Sequence, residues 1–123
     1  MLYLLDTHAV LWLMAGDERA RGVAAVLSKP RATVLLSAVS LWEIAIKKAL
    51  GKLEAPADLP EQLERFAFEP LPVTGEHAWA VGSLEPHHAD PFDRLLAAQA
   101  LTEDATLVSR DTSFDAYGVR RQW

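Results

Sequence analysis

The amino-acid sequence predicts an α/β domain in which a mostly parallel sheet is covered by helices on both faces. Three short apolar runs lack the polar alternation of half-exposed strands, which is typical of strands buried on both faces. They are residues 2–5, 33–36 and 106–109. Helical patterns separate these runs, and such alternation favours parallel pairing. With 123 residues the chain is long enough for one core, so we predict a single domain over residues 1–123.

The first half of the chain predicts three helices around the first two strands. Apolar positions from Val10 to Met14 predict a helix that ends at Gly16-Asp17, and residues 20–27 predict a second one. The second strand leads directly into a third helix over residues 37–51, because serine suits its N-terminal cap and glycine its C-terminal cap.

This third helix has one broad apolar arc when its residues are placed at about 100° per step. We predict the arc to be buried; its members are Val39, Trp42, Ala45, Ile46, Ala49 and Leu50. Glu43 falls on the margin of the arc. The simplest interpretation of that residue is an i,i+4 ion pair with Lys47 on a solvated face.

The second half predicts further helices, an edge strand and a loop. Residues 60–67 predict a helix, and the prolines within residues 68–73 suit an edge strand. Thr74 predicts the cap of a helix over residues 74–81. The loop over residues 85–90 contains His87-His88, which we interpret as structural or solvated, since adjacency alone implies no site. The tail predicts one short strand around Val119.

Asp90 predicts the cap of a further helix, which runs to about residue 101. An acid at the cap, Pro91 at the first helical position and Asp93 at the third all suit a helix N-terminus. This structural interpretation is the stronger one for Asp90, whereas Asp93 is equally suited to a functional role.

The composition excludes several classes of protein. Twelve basic and seventeen acidic side chains give a net charge of −5. This charge counts against a protein that binds nucleic acid through a net positive surface. It does not count against one that binds phosphates through metal cations. Without cysteine there is no disulfide framework and no zinc–thiolate site. No run approaches the roughly 20 apolar residues that span a bilayer, and the first six residues lack the basic region of a signal peptide. We therefore expect a cytoplasmic protein without a membrane contact.

Four acids are predicted to meet at one edge of the sheet. Asp6 and Asp111 follow predicted strands, and parallel sheets place ligands beyond the carboxyl ends of their strands. Glu43 and Asp93 lie on neighbouring helices. Clustered carboxylates repel one another, whereas Mg²⁺ accepts oxygen ligands and can activate water against a phosphodiester. A structural interpretation stays open, because Asp6 can cap a helix and Asp111 can form an Asx turn.

Four stretches of the sequence, taken together, resemble the PIN-domain ribonucleases, and within them the VapC-type toxins of toxin–antitoxin pairs. These stretches are residues 4–12, 37–53, 90–100 and 107–114, in the order that the family has them. The resemblance implies a three-layer α/β/α sandwich. It also implies an endoribonuclease dependent on Mg²⁺ or Mn²⁺, which hydrolyses RNA with activated water and forms no covalent intermediate. A cognate antitoxin and a homodimer are the implied partners.

The resemblance also implies roles for individual residues, carried over position by position. The implied catalytic residues and metal ligands are Asp6, Glu43, Asp93 and Asp111. The implied supporting residues are Thr7, Ser37 and Asp90, and a part for Asp115 stays open. Phosphate-positioning roles are implied for Arg94, Arg110 and Lys47, although each suits a surface ion pair equally well.

The resemblance further implies that the helix beginning at Pro60 and the central helix together bind the second copy and the antitoxin. Leu41 and Ile44 favour this, because they lie off the predicted buried arc. The alternative is that the monomer itself covers both faces of the central helix.

Two other functions remain open from the sequence. A non-catalytic metal-binding switch of the receiver-domain kind needs adjacent acids after the first strand and a late lysine. Here Thr7 follows Asp6, and Arg110-Asp111 stands where that lysine belongs. A PIN-like module that binds RNA or protein without cutting would keep all four acids, so the sequence does not separate it from a nuclease.

Overall fold

The fold is a single five-stranded sheet with helices on both faces. The structure, a computed structural model, describes residues 1–86 and 89–123, so the interpretation of His87-His88 lies outside the described residues. The strands are β1 (Leu2–Leu5), β2 (Thr33–Ser37), β3 (Glu69–Leu71), β4 (Thr106–Val108) and β5 (Arg121–Gln122). They pair in the order β3-β2-β1-β4-β5, and every pairing is parallel. The predicted α/β class is confirmed, and β3 lies at the edge as its prolines predict.

Helices connect the strands and form the outer layers. They are α1 (Thr7–Ala15), α2 (Arg21–Leu27), α3 (Ala38–Ala49), α4 (Leu59–Leu63), α5 (Gly75–Ala80) and α6 (Pro91–Thr102). Short 3₁₀ turns cover Glu18–Ala20, Val81–Ser83 and Thr112–Tyr117. Within the described ranges, no helix is both long and apolar enough to cross a membrane.

The apolar core is divided between the two faces of the sheet. Leu4 of β1 packs into one cluster with residues of α6, such as Leu96. Its neighbours Tyr3 and Leu5 point to the other face, where they pack with residues of α1 such as Val10. Successive strand residues point to opposite faces, so a strand buried on both sides must be apolar throughout. This confirms the interpretation of residues 2–5.

The buried face predicted for the central helix α3 is wrong. Trp42 is 50% exposed, Ile46 42% and Leu50 63%, and of the predicted arc only Val39 is buried. The buried positions of α3 are Val39, Ser40, Glu43 and Ile44. Burial of Ile44 also removes its support for a free second face. The most apolar stripe faces outward because α3 turns its polar side, with Ser40 and Glu43, toward Thr7 of α1.

Two predicted boundaries are also wrong. The helix predicted over residues 60–67 ends at Leu63, where the amides of Arg65 and Phe66 bond to carbonyls only three residues back. The last strand begins at Arg121 rather than around Val119, because the chain first turns at Gly118 with φ 76°. Glycine adopts such a positive φ at the lowest cost, because it has no Cβ.

Candidate active site

The four predicted acids line one cavity at the carboxyl edge of the sheet. The cavity has a volume of about 110 Å³ and is lined by Asp6, Thr7, His8, Glu43, Lys47, Asp90, Asp93, Asp111 and Phe114. The acids come from four separate places in the chain: the end of β1, the middle of α3, the first turn of α6 and the segment after β4. The structure therefore brings these side chains together, as expected when parallel strands end at the same edge.

Asp6 is held in place by the backbone on both sides of it. Its amide donates to the carbonyl of Val108 (3.0 Å), and its Oδ1 accepts the amide of Ala9 (2.7 Å), so it caps α1. Burial raises the pKa of Asp6, and Glu43 adds to the rise, while hydrogen bonds from Ser109 and Ala9 oppose it. The carboxylate is thus fixed in position while its charge is poorly solvated.

Glu43 is buried, and both of its oxygens have partners. Thr7 Oγ1 donates to Oε1 over 2.5 Å, and Lys47 Nζ donates to Oε2 over 2.5 Å. The i,i+4 pair expected from the sequence therefore exists, but Glu43 is only 4% exposed and the face is not solvated. The hydrogen bond to Glu43 raises the pKa of Lys47, and the charges of Asp90 and Asp93 raise it further. Lys47 is thus a cation held among the acids.

Asp93 is the acid in the cavity whose pKa is raised most clearly. Asp90 caps α6 by accepting the amides of Phe92 (2.8 Å) and Asp93 (3.2 Å), as predicted. This cap fixes the first turn, on which Asp93 lies. Burial raises the pKa of Asp93 to about 7, and the charges of the neighbouring acids add to the rise. The negative charge of Asp93 is therefore poorly solvated and is repelled by the other carboxylates of the cavity.

Asp111 is the most exposed of the four acids and is ordered by serines. Its Oδ1 accepts both the amide (2.9 Å) and the hydroxyl (2.6 Å) of Ser113, which is the Asx turn expected from the sequence. The amide of Asp111 donates to Ser109 Oγ (3.0 Å). Asp115 instead pairs with Arg121 (2.9 Å) and lies outside the cavity lining.

Ser37 does not line the cavity and lies in the buried interior. It is fully buried, caps α3 by accepting the amide of Val39 (3.0 Å), and donates to Gln99 Oε1 over 2.5 Å. Gln99 in turn donates to the carbonyl of Pro72 (3.3 Å) and contacts His77 Nδ1 (3.2 Å). These bonds join α3 to α6, the two helices that carry Glu43 and Asp93.

The predicted phosphate-positioning residues lie in three different places. Lys47 lines the cavity itself. Arg110 lines a neighbouring groove, where it is exposed. Arg94 is turned away from both, because its guanidinium donates to the carbonyls of Val81 (3.2 Å) and Glu85 (3.0 Å). Arg94 therefore holds the segment before α6 in place.

Sequence reasoning missed several residues at this edge. His8 lines the cavity, Ser109 hydrogen-bonds Asp6 and Asp111, and Gln99 links two helices. A signal existed for two of them, since His8 follows the first acid by two positions and Ser109 ends the third predicted strand. A buried glutamine inside an apolar helical run gave no comparable signal.

The donors suit a hard divalent cation in chemical type, because all four acids offer oxygen. As they are placed here, however, no group of three or more acids or histidines among the described residues could hold a metal ion. The charges of the neighbouring acids add to the rise that burial causes in the pKa of Asp93, and they also raise the pKa of Lys47.

Comparison with known proteins agrees with this geometry. The sequence profile of the PIN domain family matches residues 3–119. The chain belongs to the PIN domain family. Ribonuclease VapC16 of Mycobacterium tuberculosis is 40% identical over 57 residues, a match that covers 43% of this chain and only 40% of that protein.

Solved structures show the same fold over the whole chain. The VapBC2 structure from Rickettsia felis, bound to a promoter DNA fragment, has a TM-score of 0.77 at 20% identity, covering 100% of this chain and 99% of that one. FitAcB from Neisseria gonorrhoeae has a TM-score of 0.70 at 25% identity, covering 97% and 95% of the two chains. This PIN domain therefore has the architecture of those proteins.

Proposed function

We propose that this PIN domain, over residues 1–123, is an endoribonuclease dependent on Mg²⁺ or Mn²⁺ that acts as the toxin of a toxin–antitoxin pair. The observation that carries the proposal is the single cavity lined by acids from four separate elements. The curated relative is named a ribonuclease, and the four sequence stretches resemble VapC-type toxins. The protein would act in the cytoplasm, where its RNA substrate is found.

The residues divide into ligands and supports. Asp6, Glu43, Asp93 and Asp111 would hold the ion. A bound Mg²⁺ or Mn²⁺ would supply the charge that activates water and stabilises the leaving oxygen of the phosphodiester. The protein's other groups would keep these acids in position: Thr7 orients Glu43, and the Asp90 cap fixes the turn that carries Asp93.

The proposed reaction is hydrolysis, with water as the nucleophile. Water forms the new bond to phosphorus, and the bond from phosphorus to one nucleoside oxygen breaks. Since the 2′-hydroxyl does not attack, no 2′,3′-cyclic phosphate should form, and a 2′-deoxy nucleotide at the cleaved position should still be cut. This distinguishes the proposed chemistry from that of metal-independent ribonucleases.

The proposed protein partners are a second copy of the chain and the antitoxin. A groove of about 480 Å³ lies between α3, α4 and β3, and its apolar lining includes Leu41, Leu63 and Phe68. The outward stripe of Trp42, Ile46 and Leu50 on α3 adds further exposed apolar surface. These surfaces support the interpretation of α3 and α4 as the region that binds partners.

Cleavage of a labelled single-stranded RNA tests the activity. The purified protein should cut with Mg²⁺ or Mn²⁺ and not with EDTA, and Asp93→Asn should lose about 100-fold or more of the rate. Glu76→Gln is the matched control, because Glu76 is exposed on α5 and lies outside the cavity lining. Metal uptake without cleavage by the unchanged protein would instead favour a PIN-like module that only binds.

A further inference from the structure

We propose that His77 is a positioning residue for the acidic cavity. Through Gln99 it fixes the placement of α3 relative to α6, the two helices that carry Glu43 and Asp93. His77 lies on α5, is 1% exposed and does not line the cavity. The inference rests on the proposed function, in which those two acids act together. It adds a residue that determines their placement without contact with the reacting groups.

Two donors determine the tautomer of His77. The backbone amide of Thr74 donates to its Nδ1 over 3.0 Å, and Nε2 of Gln99 lies 3.2 Å from the same nitrogen. A backbone N–H can only donate, so Nδ1 carries no proton and accepts. The ring proton is therefore on Nε2, which donates to Oε2 of Glu103 over 2.9 Å. The imidazole thus presents a fixed acceptor to Gln99.

This acceptor determines which way the side-chain amide of Gln99 points. Its Nε2 donates to Nδ1 of His77 and to the carbonyl of Pro72 over 3.3 Å. Its Oε1 accepts the hydroxyl of Ser37 over 2.5 Å. In the reversed orientation the amide oxygen would face two acceptors, the carbonyl and the imidazole nitrogen, which is unfavourable. His77 therefore selects the orientation in which Gln99 bonds to Ser37.

The resulting network, Ser37, Gln99, His77 and Glu103, reaches both helices that carry the acids. Ser37 is the N-terminal cap of α3, and Gln99 lies within α6. Glu43 follows Ser37, and Asp93 precedes Gln99, each by less than about two helical turns. The backbone hydrogen bonds of a helix keep it stiff over that length. The placement of the two anchoring residues is therefore carried to the two acids.

Hydrogen bonds specify this arrangement more sharply than apolar contacts do. The two helices also meet through apolar groups: Val39 packs in one cluster with Leu96, and the rings of Trp42 and Phe92 meet at 4.7 Å. Such contacts have no preferred direction, whereas a hydrogen bond weakens steeply as its angle changes. Because the carboxylates of the cavity repel one another, a directional link between α3 and α6 opposes their separation.

The placement of α3 and α6 can be measured without metal or RNA. The chain has no cysteine, so Ala49→Cys and Leu101→Cys provide two exposed sites for spin labels, one on each helix. In double electron–electron resonance, His77→Leu should broaden or shift the distribution of distances between the labels, because the acceptor is lost. His77→Asn should preserve it, because the asparagine oxygen takes the place of Nδ1.

Metal affinity and kinetics test the consequence for the cavity. In calorimetry His77→Leu should bind Mn²⁺ about tenfold more weakly, as is typical when a residue behind metal ligands is lost. At saturating Mn²⁺ its kcat on RNA should decrease about tenfold while KM stays unchanged, because only the placement of the acids is altered. His77→Asn should restore both quantities.

Val23→Ala is the matched control for a general loss of stability. Val23 is a buried residue of α2 that lies outside the network and outside the cavity lining. Val23→Ala should lower the melting temperature and leave the label distances, the Mn²⁺ affinity and kcat unchanged. If His77→Leu does not fold, Gln99→Leu breaks the same network and should give the same changes in distance and affinity.

Failure of this inference and failure of the proposed function give different results. Absence of metal-dependent cleavage by the unchanged protein contradicts the function. Unaltered label distances and Mn²⁺ affinity in folded His77→Leu overturn the inference alone. So does an equal loss in His77→Asn or in Val23→Ala, since packing or general stability would then explain it. NMR of the ring nitrogens in the unchanged protein adds a check, because a proton on Nδ1 of His77 would also overturn the inference.

Discussion

The ammonium of Lys47 lies 2.5 Å from Oε2 of Glu43, inside a cavity that five acids line. The protein thus places a positive charge of its own where the proposed metal ion would bind. Thr7 occupies the other oxygen of the same carboxylate. Glu43 is therefore fully engaged within the chain, and a divalent ion must compete with, or displace, the ammonium.

We expect Lys47→Met to bind Mn²⁺ about tenfold more tightly, a gain of about 1.4 kcal/mol, because the competing cation is removed. Isothermal titration calorimetry measures the affinity. Lys52→Met serves as the control, since Lys52 is exposed and lies outside the cavity. Equal or weaker Mn²⁺ binding by Lys47→Met would mean that the ammonium does not compete with the ion.

We expect Asp93→Asn to melt about 2–5 °C higher than the unchanged protein in EDTA, because it removes one of several mutually repelling charges. Differential scanning calorimetry measures the shift. The melting temperature of Asp115→Asn should not rise above that of the unchanged protein. Asp115 forms an ion pair with Arg121, and this pair lowers the pKa of Asp115. A lower melting temperature for Asp93→Asn would indicate that this acid has a structural role.

The stability of the metal-free protein should decrease as pH rises from about 4 to about 7. The pKa of Asp93 is raised from 3.8 to about 7 in the folded state, so in this range the folded chain keeps a proton that the unfolded chain has lost. That contribution is complete below the unfolded pKa and disappears as pH passes the folded pKa. The raised pKa of Asp6 acts in the same direction. Urea unfolding at a series of pH values measures the effect, and a slope in Asp93→Asn equal to that of the unchanged protein would contradict it.

We expect Gln99→Leu to destabilise the fold by about 2–4 kcal/mol, because it removes three hydrogen bonds of a buried side chain, to Ser37, to His77 and to the carbonyl of Pro72. Urea denaturation provides the free energy of unfolding. Gln62→Leu is the comparison, since the side chain of Gln62 donates to the exposed Asp58, and losing that bond should cost under about 1 kcal/mol. If Gln99→Leu lowered the free energy of unfolding by as little as Gln62→Leu, the hydrogen bonds of Gln99 would contribute little to stability.

The positions of Asp6, Asp90 and Asp111 could be predicted because local rules decide them. Each follows a strand end or begins a helical turn, and each caps that turn as its sequence context indicates. The burial of Glu43 could not be predicted in this way. Which face of α3 is buried depends on Thr7 of α1, a residue 36 positions away along the chain.

The burial of apolar side chains and the partners of charged ones also could not be predicted from local sequence. Trp42 and Ile46 are large apolar side chains on α3, yet they are exposed, because the buried side of the helix is the one with Val39 and Ile44. Arg94 follows Asp93 directly, but its donors reach backbone carbonyls on the segment before α6. Neither outcome follows from spacing, since both depend on which surfaces the tertiary fold brings into contact.

The N-terminal cap of α1 has an evolutionary consequence. Asp6 uses one oxygen to close that helix, and asparagine closes helices about as well as aspartate does. A descendant carrying the single change Asp6→Asn would keep its architecture and lose a negative charge from its centre. Because Asp6 is one of the proposed metal ligands, this single step would remove the proposed activity without passing through an unstable ancestor.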